Sequence, residues 1–362
     1  MDKSLLEVVV NKLKKTNPSD EVLIGFDGFI DEILEVVNER ISRSRYTRID
    51  SIKQFSERIG LAANLSANLE LVPQQVKIGG NGPIMANALL SQGYKVSYIG
   101  ALGKPEIDPV FGDFAKKCTF VHSITNPGYT NALEFSDGKL MLGKMNHLDE
   151  VNWKELTKLI PVQKLEEILT NTKLIASNNW TMLSGMNEIL KGLKEILSKI
   201  KTNPFFFIDL ADPQKRTKAD IREVLEIIHD LAISSCVILS MNKRESALIA
   251  EILDIEEEEI VERTAAIRNK LDIDYVVVHP VEGAAVAKEN FKVWVNGPYT
   301  PNPKITTGAG DNFNAGFCNG LLSGLEPNEA LIAGVFTSGY YVRNAKSPDR
   351  KELIEFIESQ IS

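Results

Sequence analysis

Short, continuous apolar runs separated by longer amphipathic stretches organise most of this chain. Val22-Leu23-Ile24-Gly25-Phe26, Lys95-Val96-Ser97-Tyr98-Ile99, Lys173-Leu174-Ile175-Ala176, Pro204-Phe205-Phe206-Phe207-Ile208-Asp209, Val237-Ile238-Leu239-Ser240 and Asp274-Tyr275-Val276-Val277-Val278-His279 each read as a buried strand. Apolar spacing predicts helices over 84–92, stopped by the C-cap Gly93, and over 162–169 and 185–200. Leu5, Leu6, Val9 and Leu13 predict one face of an amphipathic helix before the first strand. Alternation of helix and strand is the pattern of a doubly wound sheet.

Four stretches depart from that rhythm. Residues 32–66 read as mostly helical, with the arginines of 40–48 as a solvated face. Residues 69–73 and 75–78 read as extended. Asn131-Ala132-Leu133-Glu134-Phe135 and Lys139-Leu140-Met141-Leu142-Gly143, separated by Ser136-Asp137-Gly138, predict a hairpin standing off the main fold as a lid. Gly283-Ala284-Ala285-Val286-Ala287 pairs naturally with Phe291-Lys292-Val293-Trp294-Val295, and a small-residue helix over 329–341 is suited to lie against a flat ligand. The acidic run Glu256 to Glu259 reads as a solvated first turn of a helix.

Composition narrows the class of partner. The 362 residues are 43% hydrophobic and 25% charged, ordinary for a globular chain, and the net charge of −8 argues against a nucleic-acid surface. Cys118, Cys236 and Cys318 are scattered and lack C-x-x-C spacing, which predicts neither disulfides nor a zinc site and fits a reducing cytoplasm. No apolar run is long enough for a signal segment or a membrane span.

The chemistry gathers at strand exits and glycine turns. Ile305-Thr306-Thr307-Gly308-Ala309-Gly310-Asp311 precedes a helical run marked by Phe313, Phe317, Leu321 and Leu322. Gly308, Ala309 and Gly310 let backbone N–H groups converge on an anion at a helix N-terminus, and Asp311 stands where a base would meet an attacking hydroxyl. A plain glycine-loop cap is the competing reading. Asp27 and Asp31 follow the first strand and suit a polyol, or else a turn with a cap. Gly79-Gly80-Asn81-Gly82 opens the helix at 84–92; a dinucleotide fingerprint there lacks its acid at the end of the next strand, which leaves close approach to a compact substrate. Asp209 and Asp212 stand at another strand exit. Asn242 and Glu245 lie one turn apart, as a capping box or as holders of the water shell of Mg²⁺. His279 has no ligand-spaced neighbour and reads as local structure.

Together, Gly79-Gly80 with Ala86, Gly93 and Gly103, and Thr306-Thr307-Gly308-Ala309-Gly310-Asp311 with Ala315 and Gly316, resemble the two signatures of the ribokinase-like sugar kinases of the phosphofructokinase-B type, over about residues 21–350. Asn242 and Glu245 match that family's N-x-x-E motif. The resemblance implies an α/β, ribokinase-like three-layer sandwich: a mostly parallel central sheet with helices on both faces and a small β lid. The expected organisation is one domain, 1–362, with lid segments near 32–78 and 118–145. It implies ATP and Mg²⁺, a small-sugar acceptor, Asp311 as catalytic base and Gly308, Ala309 and Gly310 as anion hole. Asp27, Asp31, Gly79, Gly80 and Asn81 fall on the substrate side. Asn242, Glu245, Thr307 and Gly283 fall on the nucleotide side, with Glu245 reaching the metal through water.

Three positions depart from the pattern. Ile84 stands where Asn is usual, Ile305 replaces the acid of a monovalent-cation site, and Gly25-Phe26-Asp27-Gly28-Phe29-Ile30-Asp31 is similar to the entry segment of ADP-dependent sugar kinases. The rivals are a nucleoside kinase, with Trp180 as a candidate base neighbour, and a non-catalytic sugar-binding regulator. Few cations beyond Lys77 and the lid's Lys144 would serve a phosphosugar acceptor. A dimer through the exposed lid edge is the expected assembly.

Overall fold

The structure, a computed structural model, describes residues 2–361. Its strands in chain order are β1 (Glu21–Phe26), β2 (Phe29–Arg40), β3 (Tyr46–Arg48), β4 (Leu71–Gly79), β5 (Lys95–Gly100), β6 (Phe120–Ser123) and β7 (Gly128–Phe135). Then follow β8 (Gly138–Lys144), β9 (Thr172–Asn178), β10 (Phe205–Asp209), β11 (Cys236–Met241), β12 (Tyr275–Val278), β13 (Gly283–Lys288) and β14 (Phe291–Asn296).

Nine of them form one sheet in the order β14-β13-β12-β11-β10-β9-β1-β5-β6. It is parallel from β12 to β6, and only β13 and β14 run antiparallel at one end. Its strands carry apolar residues toward both faces. Phe206 and Ile208 of β10 enter a core with helices Val162–Asn171, Met186–Ile200, Lys218–Leu231 and Ile260–Leu271. Phe207, one residue out of phase, enters the opposite core with helices Lys3–Lys15, Asn81–Gln92, Ala309–Leu322, Pro327–Asn344 and Arg350–Glu358. The doubly wound sheet read from the alternating pattern and the three-layer sandwich implied by the resemblance are therefore present.

Helices Ala309–Leu322 and Pro327–Asn344 pack close together. A Cβ on Gly316 would lie 2.5 Å from Thr337 Oγ1 and 2.7 Å from the Ala333 carbonyl oxygen, so only glycine fits that crossing. Gly316→Val is expected to destabilise the protein by about 3 kcal/mol or more. A urea midpoint equal to wild type would remove that reading of the contact.

The second sheet is the lid, with order β3-β2-β7-β8 and with β4 also paired to β2. The hairpin β7–β8 forms where its alternation placed it, but two expectations about the lid need correction. Residues 32–40, read as part of the helical stretch 32–66, belong to a strand of 12 residues, Phe29–Arg40, and a helix appears only at Ile52–Gly60. Ile30, Ile33, Val36 and Val37 are β-branched, and hydrogen-bonding partners on both edges, β4 and β7, outweigh the helix-like spacing of the same residues. In addition, β6, expected within the lid, pairs with β5 at the edge of the large sheet. Leu34, Val36, Ile49, Phe55, Leu133 and Phe135 give the lid a small core of its own. Finally, Glu259 is the N-cap of Ile260–Leu271, so the acidic run precedes that helix instead of forming its first turn.

Candidate active site

Open parallel sheets bind ligands beyond the carboxyl ends of their strands, and the polar residues flagged in the sequence gather there. Asp27, next after β1, is fully buried. Its carboxylate accepts from Asn81 N at 2.9 Å, Gly82 N at 2.8 Å and Asn179 Nδ2 at 2.8 Å. It thus fills the N-terminus of helix Asn81–Gln92 with the protein's own anion, leaving no pyrophosphate site on the Gly80–Gly82 turn. Gly80, at φ 92°, makes the turn possible. Burial pushes the Asp27 pKa up to about 6 against the pull of those hydrogen bonds.

The other glycine turn differs. Gly308, at φ 88°, leads into helix Ala309–Leu322, and a Cβ there would meet the Tyr341 hydroxyl at 2.9 Å. Ala309 N donates to Thr306 O and Asn312 N to Gly308 O, whereas Gly310 and Asp311 carry first-turn amides that no intrahelical carbonyl can reach. Asp311 is buried beside them, and Asn81 Nδ2 donates to its Oδ1 at 2.9 Å. Burial, then the neighbouring Asp209, raises the Asp311 pKa well above the ordinary carboxylate range. Asn81, expected to touch substrate, is thereby the link from Asp27 to Asp311.

Beyond this cradle lies a cavity of about 390 Å³ lined by Asn242, His279, Gly283, Thr306, Gly310 and Gly339, among others. Gly283 and Asn242, expected on the nucleotide side, both line this cavity. Thr306, not Thr307, lines the cavity; Thr307 O accepts from Tyr341 Oη at 2.9 Å, and its hydroxyl faces the lid. His279, read from sequence as local structure, is a wall of the cavity, with its ring 4.7 Å from that of Phe313 and its pKa lowered to about 4 by burial. Histidine spacing carries no signal for that role, because the strand exit alone sets it. The small-residue helix Pro327–Asn344 contributes Val335, Ser338, Gly339 and Val342 to the cavity, as its composition predicts.

Asn242 and Glu245 form a capping box on helix Lys243–Ile252. Both Glu245 oxygens accept backbone N–H groups, from Asn242 and Asp212, each at 2.8 Å. Asp209, at the end of β10, accepts from Ala211 N and Asn314 Nδ2, and burial followed by the charge of Glu245 raises its pKa to about 8.

On the lid side, Asp31 of β2 is buried between Lys77 of β4 and Thr130 of β7, its register partners. Gly79 is needed because a Cβ there would come within 2.4 Å of Asp31 Oδ1. Burial raises the Asp31 pKa, opposed by the Thr130 hydroxyl, Lys77 and Lys139. Lys139 of β8, which the sequence does not single out, brings its Nζ to 3.4 Å from Thr307 Oγ1. Asn179 is another residue that spacing misses, although the polar run Ser177-Asn178-Asn179 closing an apolar strand is a usable signal.

A family model described as prokaryotic ketohexokinase matches residues 3–360. The chain belongs to that family. It is a sugar kinase. A ketohexokinase of Haloferax volcanii is 29% identical over 339 residues, covering 92% of this chain and 90% of that one. A ribokinase of Haemophilus influenzae is 22% identical, covering 78% of this chain and 88% of its own. The structure of Arabidopsis thaliana ribokinase complexed with ribose and ATP aligns with a TM-score of 0.64 at 18% identity, over 95% of this chain and 99% of that chain. The nucleoside alternative loses its aromatic support in this sugar kinase: Trp180 is buried, with the Arg216 guanidinium 4.6 Å from its ring centroid, and does not line the cavity. Among the described residues, no helix is long and apolar enough to cross a membrane.

Proposed function

We propose that this kinase transfers the γ-phosphoryl of ATP to a hydroxymethyl group of a ketohexose, with Asp311 as base. The observation that carries the reading is the placement of a buried carboxylate, oriented by Asn81, beside the Gly310 and Asp311 amides of a helix N-terminus. The acceptor hydroxyl gives its proton to Asp311 as its oxygen bonds to the γ-phosphorus, and the bond from that phosphorus to the β–γ bridging oxygen breaks, leaving ADP. The cradle favours charge gathering on the transferring group. The nucleotide occupies the cavity bounded by Asn242, Gly283 and the helix Pro327–Asn344. Asp31 accepts from sugar hydroxyls, with Gly79 and Gly80 allowing close approach, while Asp27 works from beneath through Asn81.

Mg²⁺ fits this site as a water-shelled ion. Among the described residues, no three acidic, His or Cys side chains are arranged to hold a metal directly. The Glu245 carboxylate, already accepting two N–H bonds, retains lone pairs for waters. When bound, the ion supplies Lewis-acid neutralisation of the phosphates. No monovalent cation is assigned, since Ile305 offers no ligand. Free cysteines fit a cytoplasmic setting, and exposed Tyr129, Met141 and Leu142 on the lid strands support assembly of two copies through that sheet.

A coupled assay over ketohexoses, aldoses, ribose and nucleosides, with ATP and ADP in separate arms, tests the proposal. Turnover of ketohexoses with ATP is expected. Turnover confined to nucleosides, or to the ADP arm, overturns it.

A further inference from the structure

The mouth of the site is strongly acidic for a protein that must hold a polyphosphate. Asp27, Asp209 and Asp311 are all buried there, and the residues lining the nucleotide cavity include no Lys or Arg. A protein cation beside the transferring group adds to the neutralisation that Mg²⁺ supplies when bound. The lid brings a positive charge close to the cradle. Lys139 lies on β8 opposite Glu134 of β7, its register partner, with its Nζ 2.6 Å from Glu134 Oε1 and 3.4 Å from Thr307 Oγ1. Thr307 immediately precedes Gly308, and its carbonyl is pinned by Tyr341, so the Lys139 ammonium stands over the entrance of the amide cradle.

The Glu134 contact is a weak resting partner. The Glu134 side chain is 46% exposed, and ion pairs that open to water contribute little. A phosphoryl oxygen in the water-poor cradle is a stronger partner for an ammonium than a solvated carboxylate. Lys77, the other lid lysine near Asp31, is tied by register to Asp31 and so belongs to the sugar side.

We infer that Lys139 exchanges its Glu134 partner for an oxygen of the phosphoryl group in transit, and then for the phosphate ester of the product. This rests on the kinase reading above. Lys139 is thus a catalytic residue carried by the lid, which couples lid placement to charge neutralisation. It donates a hydrogen bond and moves no proton, so the balance of the transfer is unchanged. A long, flexible stem suits a contact that must follow the group from donor to acceptor.

The test compares wild type with Lys139→Gln, Lys139→Arg and Glu134→Gln in the full chain, with ketohexose and ATP varied separately. Lys139→Gln is expected to lower kcat by about 10²-fold with KM for the sugar within threefold, and to weaken inhibition by the sugar-phosphate product about tenfold. Lys139→Arg should recover part of kcat, since it keeps the charge. Glu134→Gln should stay within threefold of wild type, showing that loss of the hairpin ion pair alone does not disable the lid. Lys139→Gln turning over within twofold of wild type, or losing only KM for the sugar, overturns the inference and leaves the kinase reading intact. A wild type inactive on every sugar removes both.

Discussion

Asp311→Asn lowers kcat by about 10²–10⁴-fold while KM for ATP stays near the wild-type value, as expected when a general base is lost from a site whose binding groups remain. Asn81 Nδ2 now donates to Asp311 Oδ1, and an Asn side chain can still accept there, so the variant keeps its local geometry. The pH dependence gives the same residue a second signature. Burial and the charge of Asp209 raise the Asp311 pKa, so the base is protonated at pH values where an ordinary carboxylate is already ionised. The acidic limb of kcat/KM should therefore lie well above pH 4, with activity rising as pH rises through it. Turnover of Asp311→Asn at the wild-type rate, or a limb near pH 4, would assign the base elsewhere.

Asp27→Asn is expected to cost both stability and turnover. The carboxylate satisfies three buried donors, Asn81 N and Asn179 Nδ2 on one oxygen and Gly82 N on the other, and an amide keeps only one acceptor oxygen, so its NH₂ faces at least the Gly82 N–H. One buried donor left unsatisfied puts the loss at about 1–3 kcal/mol at neutral pH. Because Asn81 hangs from Asp27 and orients Asp311, kcat falls more than KM for the sugar. The linkage to pH has a definite sign. An Asp whose folded-state pKa is raised from 3.8 to about 6 binds its proton more tightly when folded, so its contribution to stability declines as pH rises between those values. Denaturant titrations at pH 4 and pH 7 should show the gap between wild type and Asp27→Asn narrowing at the higher pH by an amount on the order of 3 kcal/mol. A gap that is constant or widens toward neutral pH would show that Asp27 is not the buried, raised-pKa anchor described here.

The two glycine turns illustrate how much of the site the sequence makes legible. Gly308–Gly310 reads as an anion cradle and Gly79–Gly82 as a close approach to a compact substrate, and both turns do start helices. Which of them is left open to phosphate depends on Asp27, whose place is fixed by the pairing of β1 between β5 and β9. The N-x-x-E pair is legible as a capping box and is one, yet its second backbone partner, Asp212 N, comes from a separate turn. Lys139 lies in a hairpin that alternation predicts correctly, and its pairing with Glu134 follows from the short turn. Its reach to Thr307 does not, because 168 residues separate them and only the docking of the lid on the large sheet sets the distance.

What the sequence determined by itself is whatever depends on near neighbours. Apolar runs of strand length, helical spacing, C-cap glycines and strand-exit acids specify an α/β sandwich and the inventory of chemical groups. Residues 32–40 mark the limit, since their spacing favours a helix until hydrogen bonds from β4 and β7, supplied by distant segments, make them a strand. Tertiary structure alone decided the roles. It turned Asp27 inward onto three N–H donors, buried Asp311 beside Asn81, made His279 a cavity wall and brought a lid lysine to Thr307. Burial and neighbouring charge set how a carboxylate or lysine behaves, and both are properties of the packed chain.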